Sequence, residues 1–252
     1  MSKLLDGKRA VVTGGGRGIG LAIARALGAE GAQVVVMGRD LAVLQAAAGL
    51  ISGARAVVCD VTDAESVKRA FAEAGEVDIL INNAGAAGSA SFERTSVELW
   101  NRMMAVNVTG AFYCTQTVLS GMQKRGYGRI VNVASTAALK GYPYVSAYCA
   151  AKHALLGLTR ALAAEMAKRN ITVNAVCPGY TESDLLTGSI SNIMATTGRS
   201  EDEVKKMLMA GNPQGRFIQP EEVAACAVWL CSPGAESVTG QAIAIDGGEV
   251  AR

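Results

Sequence analysis

Short apolar runs alternate with longer stretches whose hydrophobic positions recur at helical spacing, almost from one end of the chain to the other. The runs lie at residues 9–13, 33–37, 55–60, 77–81, 129–134, 172–177 and 241–245, and several are apolar on consecutive positions. Continuous apolarity, in place of strict alternation, marks strands covered on both faces. The stretches at 19–29, 41–50, 64–74, 97–124, 145–169 and 220–231 read as helices. Strand and helix taking turns implies right-handed crossovers and a parallel sheet with helices on both faces. The pattern therefore predicts an α/β fold: a doubly wound, seven-stranded parallel sheet in a single domain spanning 1–252. Residues 180–216 break the pattern. They are rich in Gly, Ser, Thr and Asn, with one helix signal, the capping box Ser200-Glu201-Asp202-Glu203. A long irregular segment placed directly after a strand reads as a lid over the active site.

Composition narrows the function. The 252 residues carry Lys+Arg 24 against Asp+Glu 22, a formal charge of +2, with no basic stripe for nucleic acid. Half the residues are hydrophobic, which raises the question of a membrane span. The longest uncharged run, 103–123, is interrupted by Asn107, Thr109, Thr115, Gln116, Thr117 and Ser120 and does not read as one. A single histidine, His153, leaves no two- or three-His metal site within one chain, and no metal is expected. The six cysteines form no C-x-x-C pair and sit mostly in apolar runs. With no secretory h-region at the start, a reduced, cytoplasmic protein is expected.

The first run ends at Thr13, and Gly14-Gly15-Gly16-Arg17-Gly18-Ile19-Gly20 leads into a helix. Glycines here permit a tight turn and let backbone N–H groups approach a pyrophosphate at the positive end of the helix. With the strand before and the helix after it, the loop predicts dinucleotide binding on a Rossmann fold. An acid at the end of the second strand, about 20 residues on, would bind the ribose 2′-OH and select NAD. Gly38 stands there instead, followed by Arg39, whose guanidinium suits a 2′-phosphate, with Arg17 able to approach from the other side. Asp40 leaves two readings open, a ribose ligand or the N-cap of the next helix. NADP is favoured, with NAD possible.

Tyr148 and Lys152 lie i, i+4 in a predicted helix, on one face. A nearby cation favours phenolate and draws a tyrosine toward its working range as an acid–base. Upstream, Ser135 ends the fifth strand, Asn82-Asn83-Ala84-Gly85 ends the fourth, and Asn107 is a polar residue amid apolar helical neighbours. His153 and Cys149 read as packing residues, and Trp100 and Trp229 as core or interface residues on apolar helix faces.

These residues together resemble the short-chain dehydrogenase/reductase family, over 7 to 248: TGGGRGIG at 13–20, Asp60-Val61, NNAG at 82–85, Asn107, Ser135, Tyr148 with Lys152, Pro178-Gly179 and Asp246-Gly247-Gly248. The resemblance implies that Tyr148 exchanges a proton with the substrate oxygen and that Ser135 hydrogen-bonds it. It implies that Lys152 holds the nicotinamide ribose and that Asn107 holds a water in a proton relay. Gly14, Arg17, Gly18, Ile19, Gly20 and Arg39 would bind phosphates, and Asp60 and Val61 would meet the adenine. Asn83, Ala84 and Gly85 would line the adenosine-side ribose, and Pro178, Gly179 and Thr181 would face the carboxamide. The stretches VNVAST, TVNAVCPGY and GRFIQPEEVA look most like 3-oxoacyl thioester reductases, polyketide ketoreductases and 3-hydroxyacyl-CoA dehydrogenases. The resemblance thus implies a small-molecule substrate, an acyl thioester, and a homotetramer. Alternatives are a dehydrogenase of another secondary or alicyclic alcohol and, in another class, a non-catalytic nucleotide-sensing protein.

Overall fold

All residues of β4 (Ile79–Asn82), β5 (Gly128–Val133) and β6 (Ile171–Pro178) are buried, as their unbroken apolar runs require. With β1 (Arg9–Thr13), β2 (Gln33–Gly38), β3 (Arg55–Val58) and β7 (Ala242–Ile245) they form one parallel sheet in the computed structural model, which describes residues 3–251. The order is β3-β2-β1-β4-β5-β6-β7. Strand order reverses between β1 and β4, and the crevice outside the carboxyl ends at such a switch point is where doubly wound sheets bind ligands.

Neighbouring residues of one strand serve opposite faces. Val12, Val34, Val36 and Ile81 pack with Ile23 and Leu27 of α1 (Gly18–Ala29), Leu44 of α2 (Leu41–Ala48) and Val223 and Ala227 of α9 (Pro220–Cys231). Val11, Val35, Leu80 and Ile130 pack on the other side. Their partners are Val67 and Phe71 of α3 (Ala64–Ala74), Cys114 and Val118 of α5 (Gly110–Arg125) and Met166 of α6 (Ser146–Met166). Two covered faces explain why apolarity runs on consecutive positions.

The predicted elements hold with adjustments. The third strand stops at Val58, short of Asp60, and the fourth is shifted to end at Asn82. The helix expected at 97–124 is α4 (Val97–Met104) and α5 joined through a π-helical segment, Ala105–Thr109, that contains Asn107. The larger difference is at 180–216, which is not irregular. It holds α7 (Asp184–Thr197) and α8 (Glu201–Met209), capped by Ser183 and Ser200 and packed on a small core of Leu186, Ile190, Val204, Leu208 and Phe217. Its hydroxyls obscured the helical signal. Thr187, Ser189, Ser191, Thr196 and Thr197 each bond back to the carbonyl four residues earlier, so they are spent within α7 and leave its inner face apolar. Among the described residues no helix is long and apolar enough to cross a membrane.

Candidate active site

Gly14 (φ +63°) and Gly18 (φ +48°) turn the chain from β1 into α1 in the left-handed region that favours glycine. A Cβ on Gly20 would stand 2.2 Å from the Gly14 carbonyl oxygen, so only glycine lets loop and helix meet. Five other helices (α2, α3, α4, α7, α8) begin with an Asp or Ser side chain capping the first turn. α1 begins at Arg17 with no side-chain cap and no acid in its first turn. Its first N–H groups, and the positive end of its dipole, are left for an anion. Asn83 ties this loop to the end of β4, donating to the Thr13 and Gly14 carbonyls at 3.0 and 3.1 Å. The Thr13 hydroxyl, unremarked in the sequence, accepts from the N–H groups of Asn83 and Ala84 at 3.0 and 3.1 Å.

At the end of β2 the side chain of Asp40 is engaged. Its Oδ1 accepts from Ala42 and Val43 N–H at 3.0 and 3.2 Å as the N-cap of α2. Arg39 is exposed next to it. Hydrogen bonds from Thr62 hold the Asp60 carboxyl below its ordinary range, with a smaller pull from the Arg39 cation. Arg17 lies instead toward α7, its guanidinium 3.4 Å from Asp184 in the first turn of that helix. Val61 packs against Gly110, where an added Cβ would meet its Cγ2 at 2.8 Å.

Ser135 lies two residues beyond the end of β5, and its Oγ accepts from Ala137 N–H at 3.1 Å. Facing it, α6 presents Tyr148 and Lys152, with the Lys152 Nζ 5.7 Å from the phenol ring centroid. The ammonium is buried and donates to the Val133 carbonyl at 2.9 Å. Burial pushes Lys152 down to about 8. Burial also pushes the Tyr148 phenol up to about 12, against a downward pull from the nearby Ser135 hydroxyl. Loss of solvent thus dominates the phenol, and the neighbouring ammonium is engaged by Val133.

Asn107 closes the group from the π-helical segment. Its Nδ2 donates to the Ala86 and Met103 carbonyls at 2.9 and 3.0 Å, and its Oδ1 accepts from Ala86 N–H at 3.3 Å. Gly85 fits between: an added Cβ would stand 2.9 Å from Asn107 Oδ1 and 3.7 Å from Lys152 Nζ. Pro178 ends β6, Gly179 N–H donates to the Ile245 carbonyl at 3.0 Å, and the Thr181 hydroxyl donates back to Gly179 at 3.0 Å. A buried amide ladder that sequence reading passed over braces the same strand ends. Asn82 donates to Asn132 at 2.8 Å and Asn132 to Thr159 at 2.8 Å, and three polar residues inside apolar runs were its signal.

A nucleotide cradle and a serine, tyrosine and lysine thus share the carboxyl edge of one sheet. The model of a family described as enoyl-(acyl carrier protein) reductase matches residues 14–249. The 2-(S)-hydroxypropyl-CoM dehydrogenase 3 of Xanthobacter autotrophicus is 41% identical, with 100% of both chains covered. The chain belongs to the short-chain dehydrogenase/reductase family. The D-beta-hydroxybutyrate dehydrogenase of Rhizobium meliloti, 38% identical, covers 97% of this chain and 99% of its own. The crystal structure of a point variant of actinorhodin polyketide ketoreductase with NADPH superposes with a TM-score of 0.94 at 37% identity, covering 100% of both chains. As a short-chain dehydrogenase/reductase, the protein is an oxidoreductase of secondary alcohols and ketones that uses a nicotinamide cofactor. The uncapped start of α1 and the glycines around it fit the cofactor's pyrophosphate.

Proposed function

We propose that the enzyme interconverts 3-oxoacyl and 3-hydroxyacyl thioesters, with NADP(H) preferred. The bound nicotinamide supplies or takes up the hydride. Tyr148 gives its proton to the substrate oxygen in reduction and takes it back in oxidation, and a phenol near 12 is fully protonated, ready as the acid, at neutral pH. Ser135 steadies the charge developing on that oxygen. Lys152 positions the nicotinamide ribose, and Asn107 holds the relay end of the site together. The observation that carries the reading is that Tyr148 and a buried Lys152 lie together on α6 near Ser135, with the Lys152 Nζ 5.7 Å from the phenol ring centroid.

The thioester rests on the likeness of VNVAST, TVNAVCPGY and GRFIQPEEVA to the thioester-reducing members. The name of the hydroxybutyrate relative, a 3-hydroxy acid enzyme, agrees in chemistry at the reacting carbon. Kinetics with 3-oxoacyl-CoA esters against cyclohexanone and simple alcohols test it: kcat/KM at least tenfold higher for the esters is expected, and the reverse order overturns the thioester. The same reading places the enzyme in the cytoplasm as a homotetramer. Trp100 on α4 and Phe112 on α5 leave large apolar surface exposed, as helices paired between subunits do. Light scattering giving a 25.9 kDa particle at micromolar protein overturns the oligomer.

A further inference from the structure

Beside the reacting groups lies a charged cluster that the proposed chemistry does not use. Thr136, next to Ser135, is 2.7 Å from the Tyr142 hydroxyl, which is also 2.7 Å from Glu249 Oε1. A carboxylate only accepts, so Tyr142 donates to Glu249 and accepts from Thr136. The Lys140 Nζ sits 3.0 Å from the same Oε1. The Glu249 side chain is 5% exposed, whereas that of Lys140 is 39% exposed. Oε1 thus holds two donors, while Oε2 has no hydrogen-bond partner among the described residues and lies 3.4 Å from where a Gly179 Cβ would stand. A buried carboxylate with one open oxygen, next to an ammonium with unspent N–H groups, is an unfinished polar site. Both border a cavity of about 650 Å³, lined also by Leu139, Ala210, Gly211 and Val250. Tyr142 meets Tyr180 edge to face at 6.5 Å, so the cluster continues into the wall of the cleft.

We infer that Lys140 and Glu249 recognise a second hydroxyl of the substrate, remote from the reacting carbon, with Tyr142 positioning Glu249. A hydroxyl accepts from the ammonium and donates to Oε2 at once. Oε2 shares a carboxylate with the oxygen 3.0 Å from Nζ, so one oxygen atom can reach both. A trans amide cannot, because its donor and acceptor point in opposite directions. A simple ketone or an unbranched acyl chain leaves both groups unused. The inference rests on the oxidoreductase assignment and not on the thioester.

Two matched series test it, each with and without a further hydroxyl. One is 3-oxohexanoyl N-acetylcysteamine thioester with its 5- and 6-hydroxy counterparts, and the other is 2-hexanone with its 4-, 5- and 6-hydroxy counterparts. A hydroxylated member is expected to be preferred by about tenfold in kcat/KM, as one charge-assisted bond allows. The preference should fall to near unity, through KM, in both Lys140→Met and Glu249→Gln, while the parent compounds keep their kcat. Tyr142→Phe should weaken the preference with kcat for the parents unchanged. Lys140 is on the exposed rim, so Lys140→Met decides the matter if Glu249→Gln does not fold. No preference in the unmodified enzyme, or a preference that survives Lys140→Met, overturns the inference. Turnover of the ketones without the thioesters overturns the thioester reading alone.

Discussion

The Lys152 ammonium donates to the Val133 carbonyl at 2.9 Å, which fixes a buried cation to the strand that delivers Ser135. One hydrogen bond does not replace the lost water, and burial lowers this group from 10.5 to about 8. Between those values the unfolded chain binds the proton and the folded one does not, so stability gained from this group rises with pH and is lost again as pH falls through about 8. The shift is worth roughly 3 kcal/mol at 1.36 kcal/mol per unit. Urea unfolding of the wild type and Lys152→Met at about pH 7.5 and pH 10 is expected to show the wild type gaining on the variant with pH, by an amount on that order. A pH-independent gap between the two would contradict a lowered Lys152.

Tyr148→Phe keeps the ring and removes the proton. General acid catalysis contributes about 10²- to 10⁴-fold, so kcat for reduction should fall by at least the lower figure while the cofactor still binds. The raised phenol gives the direction of the pH dependence: a group near 12 is an acid at neutral pH and must ionise to act as a base. Alcohol oxidation by the wild type should therefore climb with pH between about 7 and 10, and ketone reduction should not. Turnover near normal in Tyr148→Phe would remove the residue from the chemistry.

Which features were legible in the sequence follows from how locally each is specified. The sheet and its helices were, because Val11 and Val12, or Val35 and Val36, each answer to a different face and leave a continuous apolar run. The glycine loop was too, since Gly14 and Gly20 are demanded by backbone geometry within a few residues. Of the two helices in 180–216, α8 was announced by its capping box, whereas α7 was hidden by hydroxyls that bond to its own backbone. The π-helical turn at Asn107 depends on the Ala86 backbone, 21 residues away, and the Tyr148 shift depends on burial by the whole fold. Glu249 was passed over for the same reason: only tertiary structure brings it to Tyr142, 107 residues away in sequence.

The pair α7 and α8 carries its own small core, and Thr181 and Ile218 bridge to each other at its base. Arg17 to Asp184 and Asn192 to Ser89 are its exposed polar links to the cleft. Exposed pairs of this kind contribute little, so the pair is expected to open as a unit while remaining helical. Hydrogen exchange should be faster across 184–209 than across β5 and β6, and should slow when cofactor and a ketone are added together. Protection equal to that of the central strands without ligand would show that it is not a lid.

Asp40 spends its carboxylate on the first turn of α2, and this decides what the end of β2 offers a cofactor. To accept from both hydroxyls of a ribose diol with both oxygens, it would have to give up a cap on Oδ1 worth roughly 1 kcal/mol. Gly38, at the acid's expected position, brings no charge, and an added Cβ there would meet nothing nearer than Leu44 Cδ2 at 3.4 Å. Arg39 is exposed beside it and can donate charge-assisted bonds to a 2′-phosphate. Such a bond is worth roughly 1.5–3 kcal/mol, or about 10- to 100-fold in affinity, and exposure and salt draw it to the low end. NADPH is therefore expected to exceed NADH by about tenfold or more in kcat/KM, and Arg39→Ala to erode this through KM for NADPH. Gly38→Asp should reverse it, since the space admits a side chain and a carboxylate would repel the phosphate. Asp40→Ala should lower stability by about the worth of the cap without changing cofactor preference. Steady-state kinetics with both cofactors on the four proteins separates the readings: a clear NADH preference in the wild type, moved toward NADPH by Asp40→Ala, would mean that Asp40 leaves its helix for the ribose.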